Sequence, residues 1–341
     1  MELIPYIKEK KRVMIQLNLS SGLAEQQRRD VGPDHTPGSV SFDNNQLSYK
    51  LSTFPGGEVF FRLTPTAHDD FPFDEIQITT RLNNAEDIML LFMATDAVRR
   101  KYPGIKIHLF VPYLPYARQD RVCTPGESFS LKVFGNMLNA QGYESVTVLD
   151  AHSTVADACI DRLTVLPSDP YVFEGIALLR SYLDNENVAF DTNPILVSPD
   201  AGALKKVFAL AKDSPKQVSF ESSIVVGQKV RNLATGDIIE TRIDKQDLNL
   251  NGRDVVIVDD ICDGGRTFIE LAKVLRAEGV SSITLFVTHG IFSKGLSVFE
   301  GIIDTIICTN SIGNLNRTEI GAKTFTGNSF QGKFINLKIK V

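Results

Sequence analysis

The stretch from Arg253 to Glu278 reads RDVVIVDDICDGGRTFIELAKVLRAE, and it carries the pattern that decides the fold. Val255 to Val258 form an unbroken run of β-branched residues, which is typical of a parallel strand buried on both faces. Two acids, Asp259 and Asp260, follow this run and lead into a glycine-containing loop. Apolar residues then recur at helical spacing. The stretch therefore predicts a strand, an acidic pair, a loop and a helix in that order.

The predicted helix start favours a sugar-phosphate site. Thr267 and Glu270 have the spacing of a capping box, which predicts that Thr267 caps the helix. Loop N–H groups and the positive end of a helix favour a bound phosphate. The two carboxylates before the loop can accept hydrogen bonds from neighbouring ribose hydroxyls. The alternative is an ordinary strand-turn-helix in which Asp259 and Asp260 are solvated turn residues.

Composition places the chain among soluble globular proteins. Of its residues, 43% are hydrophobic and 23% are charged. The length of 341 residues leads us to expect two domains. A net charge of −5 gives no general attraction to nucleic acid or to an anionic membrane, and no apolar run reaches the ~18 residues of a membrane span. The first sixteen residues lack the apolar core of a signal peptide. Four scattered cysteines favour a reduced, cytoplasmic chain over a disulfide scaffold or a zinc site.

Strand-like and helix-like segments alternate along the rest of the chain. Strands are predicted at 13–17, 47–51, 59–63, 76–80, 105–111, 146–149, 195–198, 223–226 and 283–288, and helices at 84–100, 130–140, 174–183 and 204–212. This alternation predicts an α/β fold with parallel sheets, in two similar domains that meet near residues 155 to 170. Residues 26–45 and 229–237 are predicted to be loops.

The segment from Tyr116 to Arg121, YARQDR, holds two arginines and an aromatic side chain after a predicted strand. Arg118 is suited to stack on a base and to bind phosphate, which a lysine does less well. The alternative is that Arg118 and Asp120 form a solvated surface pair, which contributes little to stability. The chain has neither a Walker A motif nor a G-x-G-x-x-G motif, so a bound ATP needs another device.

Five separate motifs resemble those of the ribose-phosphate pyrophosphokinase family. They are FPGGE at 54–58, VPYLPYARQDR at 111–121, DAH at 150–152, VSPDAG at 197–202 and the opening stretch at 253–278. The resemblance covers most of residues 54 to 300. It implies two tandem phosphoribosyltransferase-like domains, each with a mainly parallel sheet flanked by helices. The expected bounds are 1–160 for the domain with the ATP-binding segments, 161–310 for the sugar-phosphate domain, and 311–341 for a tail packed on the N-terminal domain.

The resemblance also implies a role for each matching residue. For ATP these are Phe54, Glu58, Arg118, Gln119, Asp120 and Arg121, and for the metal they are His152 and Asp200. The pyrophosphate loop is Asp200, Ala201 and Gly202. The ribose-phosphate residues are Asp259, Asp260, Asp263, Gly264, Gly265, Arg266 and Thr267. The catalytic residues are Lys229, Arg231 and His152, and the first two lie on a mobile flap. The alternative for Lys229 and Arg231 is a solvated loop with scattered cations.

Three segments depart from the family pattern. Gly56 stands where the family has an adenine-reading aspartate, and Ala203 replaces a usual glycine. The phosphate loop reads DGGRT at 263–267 where the family usually reads Asp-Thr-Gly-Gly-Thr, so a hydroxyl is missing and Arg266 is added. His289 also matches the family and is interpreted as structural.

The activity that the resemblance implies is a diphosphate transfer. The β,γ-diphosphate of Mg²⁺-bound ATP passes to the anomeric hydroxyl of ribose 5-phosphate, giving phosphoribosyl pyrophosphate and AMP in nucleotide biosynthesis. An alternative acceptor is a larger ribosyl compound such as ADP-ribose, which would connect the enzyme to NAD metabolism. Two alternatives lie outside this activity: the chain is a phosphoribosyltransferase, or it is a catalytically silent regulatory subunit. The expected partners are ATP, a ribose-phosphate acceptor and further copies of the chain in a dimer or hexamer, with no nucleic acid and no membrane.

Overall fold

The computed structural model describes residues 14–19, 47–65, 73–215, 218–231, 238–312, 323–324 and 332–339. Contacts divide the chain into two compact units, Met1–Leu166 and Pro167–Val341. The division falls a few residues after the predicted one at 160. The predicted loop at 26–45 lies outside the described residues.

The first unit is built on a parallel sheet. Its strands are β1 (Met14–Asn18), β2 (Tyr49–Thr53), β3 (Val59–Leu63), β4 (Glu75–Thr79), β5 (Lys106–Val111), β6 (Ser145–Leu149) and β7 (Leu163–Leu166). Five of them pair in the order β1-β4-β5-β6-β7, all parallel. The other two, β2 and β3, form an antiparallel hairpin of their own. All the parallel strands therefore end at one edge of the sheet.

Within the described residues of this unit, three helices accompany these strands: α1 (Ala85–Lys101), α2 (Ser130–Ala140) and α3 (Ala156–Cys159). The start of α1 is fixed by Asn84, whose side-chain oxygen accepts a hydrogen bond from the Asp87 N–H at 2.9 Å. The last turn of α1 holds three basic residues, which complement the negative end of the helix dipole. Leu91 and Val98 are fully buried and carry its apolar face into the core.

The second unit contains a larger sheet. Its strands are β8 (Ile195–Ser198), β9 (Val225–Arg231), β10 (Ile238–Asp244), β11 (Asp254–Cys262), β12 (Ser282–Gly290), β13 (Thr305–Thr309), β14 (Lys323–Thr324) and β15 (Lys333–Leu337). They pair in the order β10-β9-β8-β11-β12-β13-β15-β14. The six inner strands are parallel, and β10 and β14 are antiparallel to their neighbours.

Helices cover both faces of this sheet: α4 (Asp169–Asn185), α5 (Leu204–Lys212) and α6 (Arg266–Ala277). Val255 and Ile257 of β11 belong to the core cluster that contains the apolar side chains of α6. Val256 and Val258 belong to the cluster that contains those of α4 and α5. All four side chains are fully buried, as the apolar run predicts. The predicted α/β fold class is confirmed.

β11 is longer than its apolar run and continues through Cys262, so Asp259 and Asp260 lie within its carboxyl end. The predicted start of the helix that follows is wrong. The residue that precedes α6 is Gly265, in a left-handed conformation (φ +79°) and without a side-chain cap. Thr267 is therefore already helical, and the predicted capping box does not form, because the glycine turn sets the start of the helix one residue before Thr267.

Two further expectations fail at the edges of the second unit. Residues 229–231 belong to β9, which pairs with β10 as an antiparallel hairpin, so this part of the predicted loop at 229–237 is a strand. The predicted tail at 311–341 contributes β15, which pairs with β13 inside the second sheet. Phe334, Ile335 and Leu337 are buried there, so this part of the tail belongs to the second unit and not to the N-terminal domain.

No helix within the described residues is both long enough and apolar enough to span a membrane.

Candidate active site

The acidic pair lies at the carboxyl end of β11. Asp259 accepts a hydrogen bond from the Asp260 N–H at 2.9 Å, and Asp260 accepts one from the Ile261 N–H at 2.9 Å. Burial raises the pKa of the Asp259 carboxyl well above its usual range, and the neighbouring charge of Asp260 raises it further. Two adjacent carboxylates with this electrostatic conflict are suited to bind a ligand that supplies hydroxyl donors or a cation.

Asp200 lies at the same edge of the sheet. β8 and β11 are parallel neighbours, with Val197 opposite Ile257. Asp200 follows Val197 by three residues, and Asp259 and Asp260 follow Ile257 by two and three. The charge of Asp200 contributes to the raised pKa of Asp259. The structure thus brings together the predicted pyrophosphate turn and the predicted ribose pair.

The Asp200 side chain closes the turn at 200–203. Oδ1 of Asp200 accepts hydrogen bonds from the N–H groups of Gly202 (2.9 Å) and Ala203 (3.2 Å), and the Ser198 hydroxyl donates to the Asp200 carbonyl at 2.7 Å. Ala201 and Gly202 are exposed just before α5. The segment is therefore a rigid turn whose shape the Asp200 side chain fixes.

The loop at 263–267 connects β11 to α6. A Cβ on Gly265 would stand 2.4 Å from Cζ of Phe299, so the Phe299 ring lies directly against the loop backbone. With φ at +79° as well, this position requires glycine. Arg266 is exposed as the first residue of α6, and Thr267 is half-buried behind it. The loop is thus a tight turn at a helix N-terminus with a cation at its opening.

The hairpin of β9 and β10 starts beside the Asp200 turn. A Cβ on Gly227 would stand 2.6 Å from the carbonyl oxygen of Pro199, so the two backbones approach closely. Lys229 lies opposite Thr241 and Arg231 opposite Ile238 in the strand pairing. The two candidate catalytic cations are therefore on the outer part of a hairpin whose base contacts the predicted pyrophosphate turn.

In the first unit, the predicted adenine segment forms the tip of the β2–β3 hairpin. The Phe54 N–H donates to the Glu58 carbonyl at 2.8 Å, and the Gly57 N–H donates to the Phe54 carbonyl at 2.8 Å. Phe54 is 52% exposed, and its ring makes an edge contact with the Phe60 ring at a centroid distance of 5.8 Å. Glu58 is exposed too. An exposed aromatic ring beside a carboxylate is available to a base.

The two other predicted segments of this unit are hydrogen-bonded to each other. Asp120 accepts hydrogen bonds from Arg121 Nε (2.8 Å) and from the Ser153 hydroxyl (2.6 Å). These bonds, from Arg121 first and then Ser153, lower the pKa of Asp120 to about 2. Ser153 immediately follows His152, so the structure connects the YARQDR segment to the DAH motif.

Both segments begin with unusual backbone. Tyr116 (φ +64°) and Asp150 (φ +48°) adopt the left-handed conformation that non-glycine residues rarely take. Arg118 and Gln119 are exposed after the first of these turns. Such conformations are typical of ligand-binding segments whose surroundings hold them in place.

Comparisons with known proteins agree with this arrangement. The protein-family model for the N-terminal domain of ribose phosphate pyrophosphokinase matches residues 39–142. The protein-family model for the phosphoribosyl transferase domain matches residues 168–303. The chain belongs to the ribose-phosphate pyrophosphokinase family. Ribose-phosphate pyrophosphokinase 2 of Archaeoglobus fulgidus is 28% identical over 261 residues, which cover 76% of this chain and 82% of that protein. The enzyme of Mycoplasmopsis pulmonis is 29% identical over 269 residues, covering 78% and 77%.

A solved structure shares the fold. The crystal structure of phosphoribosylpyrophosphate synthetase from Mycobacterium smegmatis has a TM-score of 0.66 to this chain, at 18% identity, and covers 96% of this chain and 95% of its own. The predicted arrangement of two phosphoribosyltransferase-like domains is confirmed.

The residues of the second unit fit a Mg²⁺ ion held together with substrate. No group of three His, Cys, Asp or Glu side chains in the described ranges forms a complete metal cage. Mg²⁺ usually binds only one or two carboxylates and completes its shell with water and substrate phosphates. Asp200, Asp259 and Asp260 are oxygen donors of this kind. His152, the other predicted metal residue, lies in the first unit.

Two structural residues escaped the sequence reasoning. Ser153 was missed although it follows the DAH motif directly, and its hydroxyl was a usable signal. Phe299 lies 34 residues after Gly265, and nothing in the local pattern connects it to the phosphate loop.

Proposed function

We propose that this protein transfers the β,γ-diphosphate of ATP to the anomeric hydroxyl of ribose 5-phosphate, giving phosphoribosyl pyrophosphate and AMP. The observation that carries the proposal is the position of Asp200 and the acidic pair at one sheet edge, at the carboxyl ends of the paired strands β8 and β11. This placement joins a turn suited to diphosphate with a pair suited to ribose hydroxyls. Family membership supports the same activity.

Asp259 and Asp260 accept hydrogen bonds from the ribose hydroxyls and orient the sugar. These hydrogen bonds offset the burial and the repulsion by Asp260 that raise the Asp259 pKa. The loop N–H groups and Thr267 bind the 5-phosphate at the start of α6. This arrangement fixes both ends of the sugar, which leaves the anomeric oxygen as the reacting group.

The transferring diphosphate needs positive charge around it. Lys229 and Arg231, on the β9–β10 hairpin, supply two cations, and Arg118 supplies another to the nucleotide. The turn at 200–203, whose shape the Asp200 side chain fixes, receives the diphosphate. A bound Mg²⁺ supplies charge neutralisation between the phosphates. Positioning and electrostatics account for catalysis, since phosphoryl transfer asks for little covalent help.

The first unit binds the nucleotide. Arg118 and Gln119 contact ATP, and Asp120, held ionised by Arg121 and Ser153, keeps the YARQDR segment beside His152. Phe54 and Glu58 bind adenine, in a cytoplasmic homo-oligomer of two or six chains. The mass of the purified protein in solution checks this assembly.

The proposal is tested by initial rates of AMP formation from ATP and Mg²⁺ with different acceptors. We expect ribose 5-phosphate to support AMP formation at a higher rate than ADP-ribose, and no AMP to form without an acceptor. A strong preference for ADP-ribose would replace the acceptor and keep the chemistry. Absence of AMP with every ribosyl acceptor would contradict the proposal.

A further inference from the structure

Lys294 lies against the phosphate loop, although the motifs of the sequence do not include it. A Cβ on Gly264 would stand 3.5 Å from Cε of Lys294, 3.7 Å from Cδ and 3.9 Å from Cγ. The alkyl chain of Lys294 therefore runs along the Gly264 face of the loop. Its ammonium is bonded directly to Cε, so the charge lies beside the loop. The Lys294 side chain is exposed, and no hydrogen bond or ion pair within the described part of the chain occupies it.

Backbone hydrogen bonds fix the segment that carries Lys294. The N–H groups of Ile291 (2.9 Å) and Phe292 (3.0 Å) both donate to the carbonyl oxygen of Cys262, the last residue of β11. The Gly295 N–H donates to the Phe292 carbonyl at 2.8 Å and closes a turn around Lys294. The turn is thus anchored to the residue that immediately precedes the phosphate loop.

Aromatic packing holds the turn and the loop together. Phe292 is buried with a left-handed backbone (φ +47°), a conformation that surrounding contacts must maintain. Its ring meets the Phe299 ring edge to face at a centroid distance of 6.1 Å. The Phe299 ring in turn lies against Gly265 of the loop. This aromatic cluster therefore connects the turn that carries Lys294 to the phosphate loop.

The acidic residues near the phosphate loop explain why a cation is needed there. Asp259, Asp260 and Asp263 are close in sequence to the position where a phosphate dianion binds, and they repel it. The family's loop hydroxyl is absent here, where the sequence has Gly264. An ammonium beside the Gly264 backbone both replaces a lost donor and offsets the carboxylates.

We propose that Lys294 is a specificity-determining residue that binds the phosphate group of the acceptor, on the Gly264 side of the loop. This inference rests on the proposed function, in which the same loop receives the 5-phosphate. Together with Arg266 at the first position of α6, it gives the site two cations and selects acceptors that carry a phosphate or diphosphate at C5.

Calorimetric titration of ribose 5-phosphate tests the role of Lys294 without turnover. Lys294→Met keeps the alkyl chain along Gly264 and removes the charge. We expect its dissociation constant for ribose 5-phosphate to rise about ten- to a hundredfold, the effect of one charge-assisted hydrogen bond, and Lys294→Arg to recover most of the loss. Lys273→Met is the matched control, because Lys273 is exposed on α6 and pairs with Glu270.

Kinetics separate this role from a structural one. For Lys294→Met we expect a raised KM for ribose 5-phosphate, with the KM for ATP and kcat nearly unchanged, since the 5-phosphate is remote from the reacting hydroxyl. If Lys294→Met binds ribose 5-phosphate as tightly as Lys273→Met does, the inference is wrong and the proposed function stands. If the wild-type protein binds ribose 5-phosphate but forms no AMP, the proposed function is wrong and the binding comparison still decides the role of Lys294.

Discussion

The carboxyl group of Asp259 shows how one residue is placed for a ligand at the expense of stability. It is withdrawn from water, its neighbour Asp260 repels its charge, and Asp200 adds to the repulsion. The hydrogen bond from the Asp260 N–H only partly compensates. The ligand-free protein therefore holds an unfavourable charge that bound ribose hydroxyls or a cation would relieve.

We expect Asp259→Asn to stabilise the ligand-free protein at neutral and alkaline pH. Because the folded state binds the Asp259 proton more tightly than the unfolded chain, this group's contribution to stability is fully present below the ordinary carboxyl pKa. It is lost as the pH rises through the raised value. The asparagine side chain keeps the hydrogen bond from Asp260 and does not titrate. The thermal unfolding midpoint at pH 8 should rise by roughly 2 °C or more.

The pH dependence of this difference is the decisive part. The gain should shrink when the same midpoints are measured at pH 5, where more of the wild-type Asp259 is protonated. Asp247→Asn, at an exposed position in the same unit, should change neither midpoint. A gain that is equal at both pH values would contradict the assigned cause. The Asp259→Asn enzyme should also form AMP far more slowly, since it loses a ribose ligand.

The phosphate loop is an element whose shape depends on a distant ring. Gly265 combines a left-handed backbone with the Phe299 ring at the position of a side chain. Gly252 has a similar φ of +74°, but nothing lies within 4 Å of the Cβ it would carry. The pair separates the cost of backbone strain from the cost of the aromatic clash.

We expect Gly265→Ala to lower the free energy of unfolding more than Gly252→Ala does. Gly252→Ala should cost about 1 kcal/mol from the left-handed backbone. Gly265→Ala should cost about 1 to 3 kcal/mol more, because the ring must move. Urea unfolding of the three proteins measures both values. Equal losses would show that Phe299 does not constrain the loop.

The β9–β10 hairpin carries the cations assigned to the transferring group. We expect Lys229→Ala to reduce AMP formation by about a hundredfold or more, because one lost transition-state cation commonly costs on the order of 3 kcal/mol. The Lys229→Ala variant should still bind ATP, as measured by calorimetry. Lys212→Ala, at the exposed end of α5, serves as the control. A turnover near that of the control would remove Lys229 from catalysis.

Most of these elements could be predicted from the sequence, because neighbouring residues determine where each of them begins and ends. The helices α2 and α5 have the predicted bounds, and Asn84 caps α1 where the sequence indicates a helix start. The start of α6 was misplaced, since a left-handed glycine competes with the capping pattern and tertiary contact with Phe299 decides between them. β10 was not predicted, because its sequence is polar and lacks the apolar pattern of a strand. It becomes a strand by pairing with β9 in an antiparallel hairpin.

At the scale of the whole molecule, the last described strand completes the second unit. β15 pairs with β13 in parallel over five residue pairs and buries three apolar side chains. We expect a chain that ends at residue 331 to unfold at a midpoint several degrees lower, because it exposes the β13 edge and loses this apolar burial. A chain that ends at residue 339 is the control. Equal midpoints for the two truncated chains would contradict the placement of β15.

The alternation of strands and helices predicted the fold class and the division near residue 166, since both follow from patterns within tens of residues. The destination of the C-terminal segment could not be read in this way. Parallel pairing of β15 with β13 joins strands separated by a long connection, and nothing local specifies the partner. The site residues named from the motifs stay predictions. The contact of Lys294 with the phosphate loop became visible only in the folded chain, whereas Ser153 could have been noticed directly after the DAH motif.

Phosphorus NMR of the products formed from ATP, Mg²⁺ and ribose 5-phosphate is the most direct test of the diphosphate transfer. The account predicts that AMP appears in equal amount with a new sugar-bound diphosphate at the anomeric carbon, and that ADP does not accumulate. Formation of ADP with a sugar monophosphate ester, or of AMP with free pyrophosphate alone, would contradict it.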